Sequence, residues 1–145
     1  SLEAIIRQMA ESSHLAVKHC GVEEKYMTAA FVGIDLTKWV GHYVSCAHPM
    51  GIIKFADTAM MADFDQTQML GNKDFKIFVK NFDFSNFKSL LLFTDGLVES
   101  KAFPISEKRL TEMVRKSADV YAALSEKVSD IPLDDDVSFV LLEKT

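Results

Sequence analysis

LLLFTDGLVES, residues 90–100, holds the turn on which the fold is read. Leu90 to Thr94 is short and almost wholly apolar, the pattern of a strand buried on both faces. It ends at Asp95-Gly96, which places a carboxylate at the rim of a sheet, held by rigid backbone on one side and open to solvent on the other. Gly96 lets the backbone come close to a bound ion or water where a side chain would block it. A second acidic site, Asp134-Asp135-Asp136, stands immediately before VSFVLLE (137–143), read as a buried terminal strand that returns to the sheet. Three adjacent carboxylates repel one another unless a cation offsets them. If the strands 90–94 and 137–143 are neighbours, the two acidic sites converge on one divalent ion. All-oxygen ligation suits Mg²⁺ or Mn²⁺ far better than zinc. Taken singly, each site has a plainer reading: Asp-Gly is a common hairpin turn, and three aspartates make a solvated loop.

Outward from this stretch, the chain groups its strands apart from its helices. Residues 2–19 read as a helix with Leu2, Ile5, Ile6, Met9, Ser13 and Ala16 on one face and Gly21 placed to end it. Residues 27–36 (MTAAFVGIDL) form a buried strand, Thr37-Lys38 a turn, and 39–46 a second strand. Ala47 to Gly51 is a turn, and 51–56 (GIIKFA) a third strand. The segment 57–72 is irregular, with at most one short strand. Residues 73–82 (KDFKIFVKNF) alternate in character, so Phe75, Ile77 and Val79 point one way from a half-exposed strand. Ser106 caps a helix over 107–117, a second helix covers 119–130, and Pro132 stops it. This order predicts an α+β layered fold.

A chain of 145 residues with 48% hydrophobic and 26% charged residues is the size and composition of one ordinary globular domain. Its formal charge of −5 argues against nucleic acid or an anionic membrane surface as partner. No apolar run approaches the ~20 residues that span a bilayer, and the amphipathic, charged start is no secretory signal. Cys20 and Cys46 lie in different elements without metal spacing, and are read as buried free thiols in a reducing cytosol.

The quoted stretches share a resemblance. LLLFTDGLVES (90–100) looks like the LLLYTDGVTEA element of SpoIIE-like phosphatases, a bacterial branch of the PPM superfamily, and DDVSFVLLEK (135–144) resembles that family's closing DDITLLVL strand. FVGIDLTKWVGHYVSCAHP (31–49) is similar to its strand, turn and strand ending in AGHP, and MLGNKDF (69–75) to its PLG loop. The matches come in family order over nearly the whole chain. The resemblance implies a layered β-sandwich flanked by helices, a single domain over 1–145, and two Mn²⁺ or Mg²⁺ ions per intact site. It makes Asp95, Gly96 and Asp135 the metal-binding residues, with Asp136, Ser138, Thr94, His48 and Glu99 supporting them. Asp134 lies outside the motif. His48, matching the His of AGHP, orders a turn or touches substrate. Ala47 stands where the family usually has Gly. His14, His19 and His42 match nothing in the pattern.

The implied activity is hydrolysis of phosphoserine or phosphothreonine on a protein, by water activated at the metals and attacking phosphorus in line. The implied substrate is a phosphorylated STAS-type anti-anti-sigma protein of the bacterial cytoplasm. The family's first catalytic segments, a GGD-like element and GDVSGHG, precede its first helix, and this chain is expected to start at that helix. It therefore carries the C-terminal two-thirds of the domain, lacks the first strands, and holds half a metal site. On that reading it does not turn over by itself, and a sheet edge is open to dimerisation by strand pairing. Two rival readings stand beside it. One is a pseudophosphatase that grips a signalling partner without turnover; the other is an unrelated α+β ligand-binding domain with incidental acidic turns.

Overall fold

Ser1 accepts a hydrogen bond from the Ala4 amide through its hydroxyl, 3.3 Å, and so caps the first helix. The computed structural model describes residues 1–20, 25–62, 65–101, 105–129 and 135–144. Along the chain these form α1 (Leu2–Lys18), β1 (Ala29–Asp35), β2 (Val40–Cys46), β3 (Ile52–Lys54), β4 (Ala59–Met61), β5 (Lys80–Asp83), β6 (Ser89–Phe93), α2 (Gly96–Glu99), α3 (Glu107–Lys116), α4 (Val120–Ser129) and β7 (Phe139–Glu143). The class is α+β, with two antiparallel sheets. Two units divide the chain: Ser1–His48 with Phe64–Ser85, and Pro49–Asp63 with Asn86–Thr145.

The first unit lays α1 on an antiparallel sheet of order β1-β2-β5. The helix buries Ile6, Ala10 and His14, spaced by four so that they stack along one face. This stripe is rotated from the expected one, leaving Ile5 and Met9 about half exposed. Ala10 explains the choice: a small residue mid-helix lets the backbone approach the sheet closely. Ile6 and Ala10 join Val44, Cys46 and Leu70 in a closed cluster. β1 is half-buried throughout, because it is an edge strand of this sheet, not the fully buried one expected. Cys46 is fully buried, which pushes its thiol up to about 11, whereas Cys20 is exposed beyond the end of α1, against expectation; both are free.

The half-exposed strand expected over 73–82 is in fact only β5, Lys80–Asp83, paired with Val40–Tyr43 of β2. Ahead of it, side chains take the place of ladder bonds. Thr67 Oγ1 accepts from the Phe78 amide (3.0 Å) and Gln68 Oε1 from the Lys76 amide (3.0 Å). The alternation still sorted the side chains correctly, since Phe75, Ile77 and Val79 pack against the cluster of Ile6 and Leu70.

The second unit is built on a sheet of order β4-β3-β6-β7, antiparallel throughout. One face carries Ile52, Leu91 and Phe93, and these close a cluster with Leu97, Ile105, Leu110, Val114, Val120 and Leu124 from the helical segments. Burying each such side chain contributes about 1.5–3 kcal/mol. Ser106 caps α3 by accepting from the Arg109 amide, 3.3 Å, and Asp119 caps α4 by accepting from the Ala122 amide, 2.8 Å. The short strand β4 is the one anticipated within 57–72. The terminal strand departs from expectation: β7 is the sheet's last strand, and its outer side chains Val140 and Leu142 are exposed while Phe139 and Leu141 pack inward. Gly21, Pro132 and Asp134, assigned roles or positions from sequence, lie outside the described residues.

Candidate metal centre

β6 and β7 are neighbours, with Phe93 opposite Phe139. That register brings the chain after Phe93 beside the chain before Phe139, so the two acidic segments share one end of the second unit's sheet. Thr94 ties them together. Its amide donates to the Ser138 carbonyl at 2.9 Å, and its hydroxyl accepts from the Ser138 amide at 2.9 Å. The hydroxyl also lies 3.3 Å from the carbonyls of Asp136 and Ser138.

Asp95 does not form the hairpin turn that Asp-Gly can make. It takes helical angles, φ −56° and ψ −31°, and caps the single turn α2, which the sequence reading missed. Its Oδ1 accepts from the Gly96 amide at 3.1 Å, and its carbonyl accepts from the amides of Val98 and Glu99, both at 2.8 Å. The backbone under the carboxylate is thereby fixed from three directions. Glu99 ends the turn with its side chain exposed. Asp135 is also exposed, and its Oδ1 accepts from the Asp136 amide at 2.8 Å.

Gly96 is buried between the two segments. A Cβ built there would sit 2.4 Å from the Asp136 carbonyl oxygen, closer than such atoms ever approach. The absent side chain leaves room for the second acidic loop to pack against Gly96.

The donors at this rim are carboxylate and carbonyl oxygens, the kind that hard divalent cations select. They fit Mg²⁺ or Mn²⁺ in kind but fall short in number. Among the described residues, no group of three or more His, Cys, Asp and Glu side chains is placed to hold a metal ion.

His48 belongs to the first unit, where its carbonyl accepts from Ser45 Oγ (2.8 Å) and Gln66 Nε2 (3.3 Å), so its backbone orders the turn after β2. Ala47 takes φ +49°, the left-handed region that glycine favours. His14, which matched no motif, is 9% exposed, stacks on Phe75 at 4.1 Å between ring centroids, and accepts from the Gly71 amide through Nδ1 at 3.1 Å. Gly71 takes φ +91° in the PLG-like loop. Burial, then the charge of Lys18, then that of His19, lower the pKa of His14.

A family model described as Stage II sporulation protein E (SpoIIE) matches residues 1–145. The chain belongs to the SpoIIE family. Solved structures carry the same fold at low identity. The RsbU and RsbW domains of a Mycobacterium tuberculosis protein superpose with a TM-score of 0.73 at 19% identity, covering 96% of this chain and 41% of that one. RsbX in complex with magnesium gives 0.65 at 16%, covering 97% and 63%. The phosphatase domain of SpoIIE from Bacillus subtilis, presoaked with manganese, gives 0.60 at 16%, covering 92% and 72%. No curated protein matches this SpoIIE-family chain. It spans from 41% to about two-thirds of the length of the first structures it resembles.

Proposed function

We propose that this chain is part of a single Mn²⁺- or Mg²⁺-dependent phosphatase domain that removes phosphate from phosphoserine or phosphothreonine on a STAS-type regulatory protein in the bacterial cytoplasm. The observation that carries this reading is the Thr94–Ser138 clasp, which sets Asp95 and Asp135 at one sheet end. Family membership supports it, as do the magnesium and manganese named for two relatives of the same fold. Among the described residues no helix is long and apolar enough to cross a membrane.

In this reading the carboxylates of Asp95 and Asp135 and the carbonyl of Gly96 hold the cation. Two such ions, when bound, supply Lewis acidity and a lowered pKa for attacking water. The chain's own residues do the positioning. α2 fixes the backbone beneath Asp95, and Thr94 and Ser138 lock the loop that carries Asp135. Asp136 and Glu99 support that frame, and His48 holds its turn. Two carboxylates bind a divalent ion weakly, so the chain as it stands binds metal poorly and does not turn over. The open edge of β7, with Val140 and Leu142 exposed, supports pairing between two copies.

The same shortage of donors favours a second reading, a pseudophosphatase that grips a signalling partner without turnover. Hydrolysis of a phosphoserine peptide by the full-length protein, with millimolar Mn²⁺, separates the two. Turnover abolished by Asp95→Asn supports the phosphatase; metal binding to the full-length protein without turnover supports the binding module.

A further inference from the structure

One imidazole in the first unit holds both ends of a tight turn, Gly71 to Phe75 (GNKDF). At its start the Gly71 amide donates to His14 Nδ1 at 3.1 Å. At its end the Phe75 ring stacks on the His14 ring, 4.1 Å between centroids and 9° between planes. Among the described residues, the other hydrogen bonds of this turn stay local: the Asn72 amide donates to the Met69 carbonyl, the Asp74 amide to Asn72 Oδ1 and the Phe75 amide to the Asn72 carbonyl. Gly71 is seated tightly, since a Cβ there would lie 2.6 Å from the Lys25 carbonyl oxygen and 2.9 Å from Val17 Cγ1 of α1.

The two sides of this joint are held unequally. α1 is anchored by Ile6 and Ala10, buried in the cluster with Val44, Cys46 and Leu70. Leu70, just before the turn, is fixed by two backbone bonds with Met27, 2.9 and 3.1 Å. Beyond it, the turn's one hydrogen bond to α1 among the described residues is the bond from Gly71 to His14. That bond requires a bare Nδ1, with the ring's proton on Nε2. A second proton makes both nitrogens donors. No rotation of the ring then restores an acceptor, and the Gly71 amide loses its partner. The Phe75 end responds differently, because a charged ring still stacks favourably on an aromatic face.

The surroundings do nothing to hold a charged ring in place. Burial penalises the cation first, and the charges of Lys18 and His19 on α1 oppose it further, so the ring titrates below 6.5. Glu11 on α1, Lys73 and Asp74 in the turn, and Lys25 beside Gly71 are all exposed to water. On the sheet side stands Cys46, whose buried thiol, pushed up to about 11, stays neutral in acid. No carboxylate bonds to the ring among the described residues.

We propose that His14 is a pH-operated latch on the turn 71–75: neutral, it holds the Gly71 end to α1, and protonated, it releases that end while Phe75 stays stacked. The opening is local. The Met27–Leu70 bridge, and the backbone bonds of Thr67 to Ser45 and Ala47, involve no titrating group and persist. This inference goes beyond the phosphatase reading and stands without it, because the latch lies wholly within the first unit.

The test is an NMR titration of the protein from pH 7.5 to 5. It follows the His14 ring protons and the Gly71 and Ala47 amides, with each amide's exchange rate divided by its intrinsic rate at that pH. The Gly71 amide moves with the midpoint of the His14 ring, and its protection falls roughly three- to tenfold, the loss of one ordinary hydrogen bond. The Ala47 amide keeps its shift and its protection. His14→Gln, which does not titrate, gives the same Gly71 protection at both ends of the range. Phe75→Leu, which removes the stack and keeps the imidazole, still shows the Gly71 transition. A Gly71 amide unmoved while the ring titrates would overturn the proposal. So would loss of protection at Ala47 with the same midpoint, which means the whole unit loosens, or a Gly71 transition that survives in His14→Gln.

Discussion

Thr94 and Ser138 form a closed pair across the ends of β6 and β7, each receiving a hydrogen bond from the other at 2.9 Å. One bond extends the ladder past Phe93–Phe139; the other uses the threonine hydroxyl in place of a carbonyl. This pair keeps the two acidic segments side by side, so everything inferred about Asp95 and Asp135 depends on it.

Replacing Thr94 by Val keeps the shape and removes the acceptor of the Ser138 amide. Ser138 is exposed, so water can replace the lost acceptor and the net cost is that of one ordinary hydrogen bond, about 0.5–1.5 kcal/mol. Thermal unfolding of Thr94→Val should fall by several degrees, while Thr94→Ser should recover most of it. An unchanged midpoint in Thr94→Val would show that the clasp carries no stability.

At Gly96 the constraint is space. A methyl group 2.4 Å from the Asp136 carbonyl forces the loops apart, at roughly 1–3 kcal/mol for such overpacking. In Gly96→Ala, amide shifts should move mainly over 94–98 and 135–138, with a matching loss of stability. A spectrum altered in neither segment contradicts the packing described.

Ala47 pays for a conformation that glycine adopts freely. An alanine in the left-handed region costs about 1–2 kcal/mol, and glycine's greater freedom when unfolded costs about 0.5–1 kcal/mol. The difference favours Ala47→Gly by roughly 0.5–1 kcal/mol, read as a higher urea midpoint at unchanged slope. A lower midpoint would mean that the methyl group packs well enough to repay the strain.

His14 predicts a pH dependence. Its folded pKa lies below the ordinary value of 6.5, chiefly through burial, so the unfolded chain binds a proton that the folded chain refuses. Stability is therefore complete above about pH 6.5 and declines as pH falls through the window between the two values. Protonation also removes Nδ1 as acceptor for the Gly71 amide. Urea unfolding between pH 7.5 and 5 should show this decline, and His14→Gln should flatten it.

What the sequence disclosed follows from how local each signal is. β6 was legible because Leu90 to Phe93 is apolar on both faces, and α3 because Ser106 announces it. Asp95 and Asp135 stood out because carboxylates beside buried strands need a reason. α2 was hidden because Asp-Gly serves a hairpin and a helix cap equally well. The rotated stripe of α1 escaped because Ile5 and Ile6 are equally apolar, and only contact with the sheet chooses between them. The non-ladder stretch before β5 escaped for a similar reason: alternation reports which side chains point inward, whether backbone amides bond to a strand or to Thr67 and Gln68. His14 carried no motif, since its partner is a backbone amide distant in sequence. The exposure of β7 depends on its place in the sheet, which no local pattern records.

The central claim is that the Asp95 and Asp135 segments meet around one divalent cation. Titrating the labelled chain with Mn²⁺ and following paramagnetic broadening of its amides tests this most directly. Both segments, residues 94–97 and 135–138, should broaden first and at the same metal concentration, and Asp95→Asn should abolish the effect in both. Broadening of one segment without the other, or of neither at millimolar Mn²⁺, would contradict it.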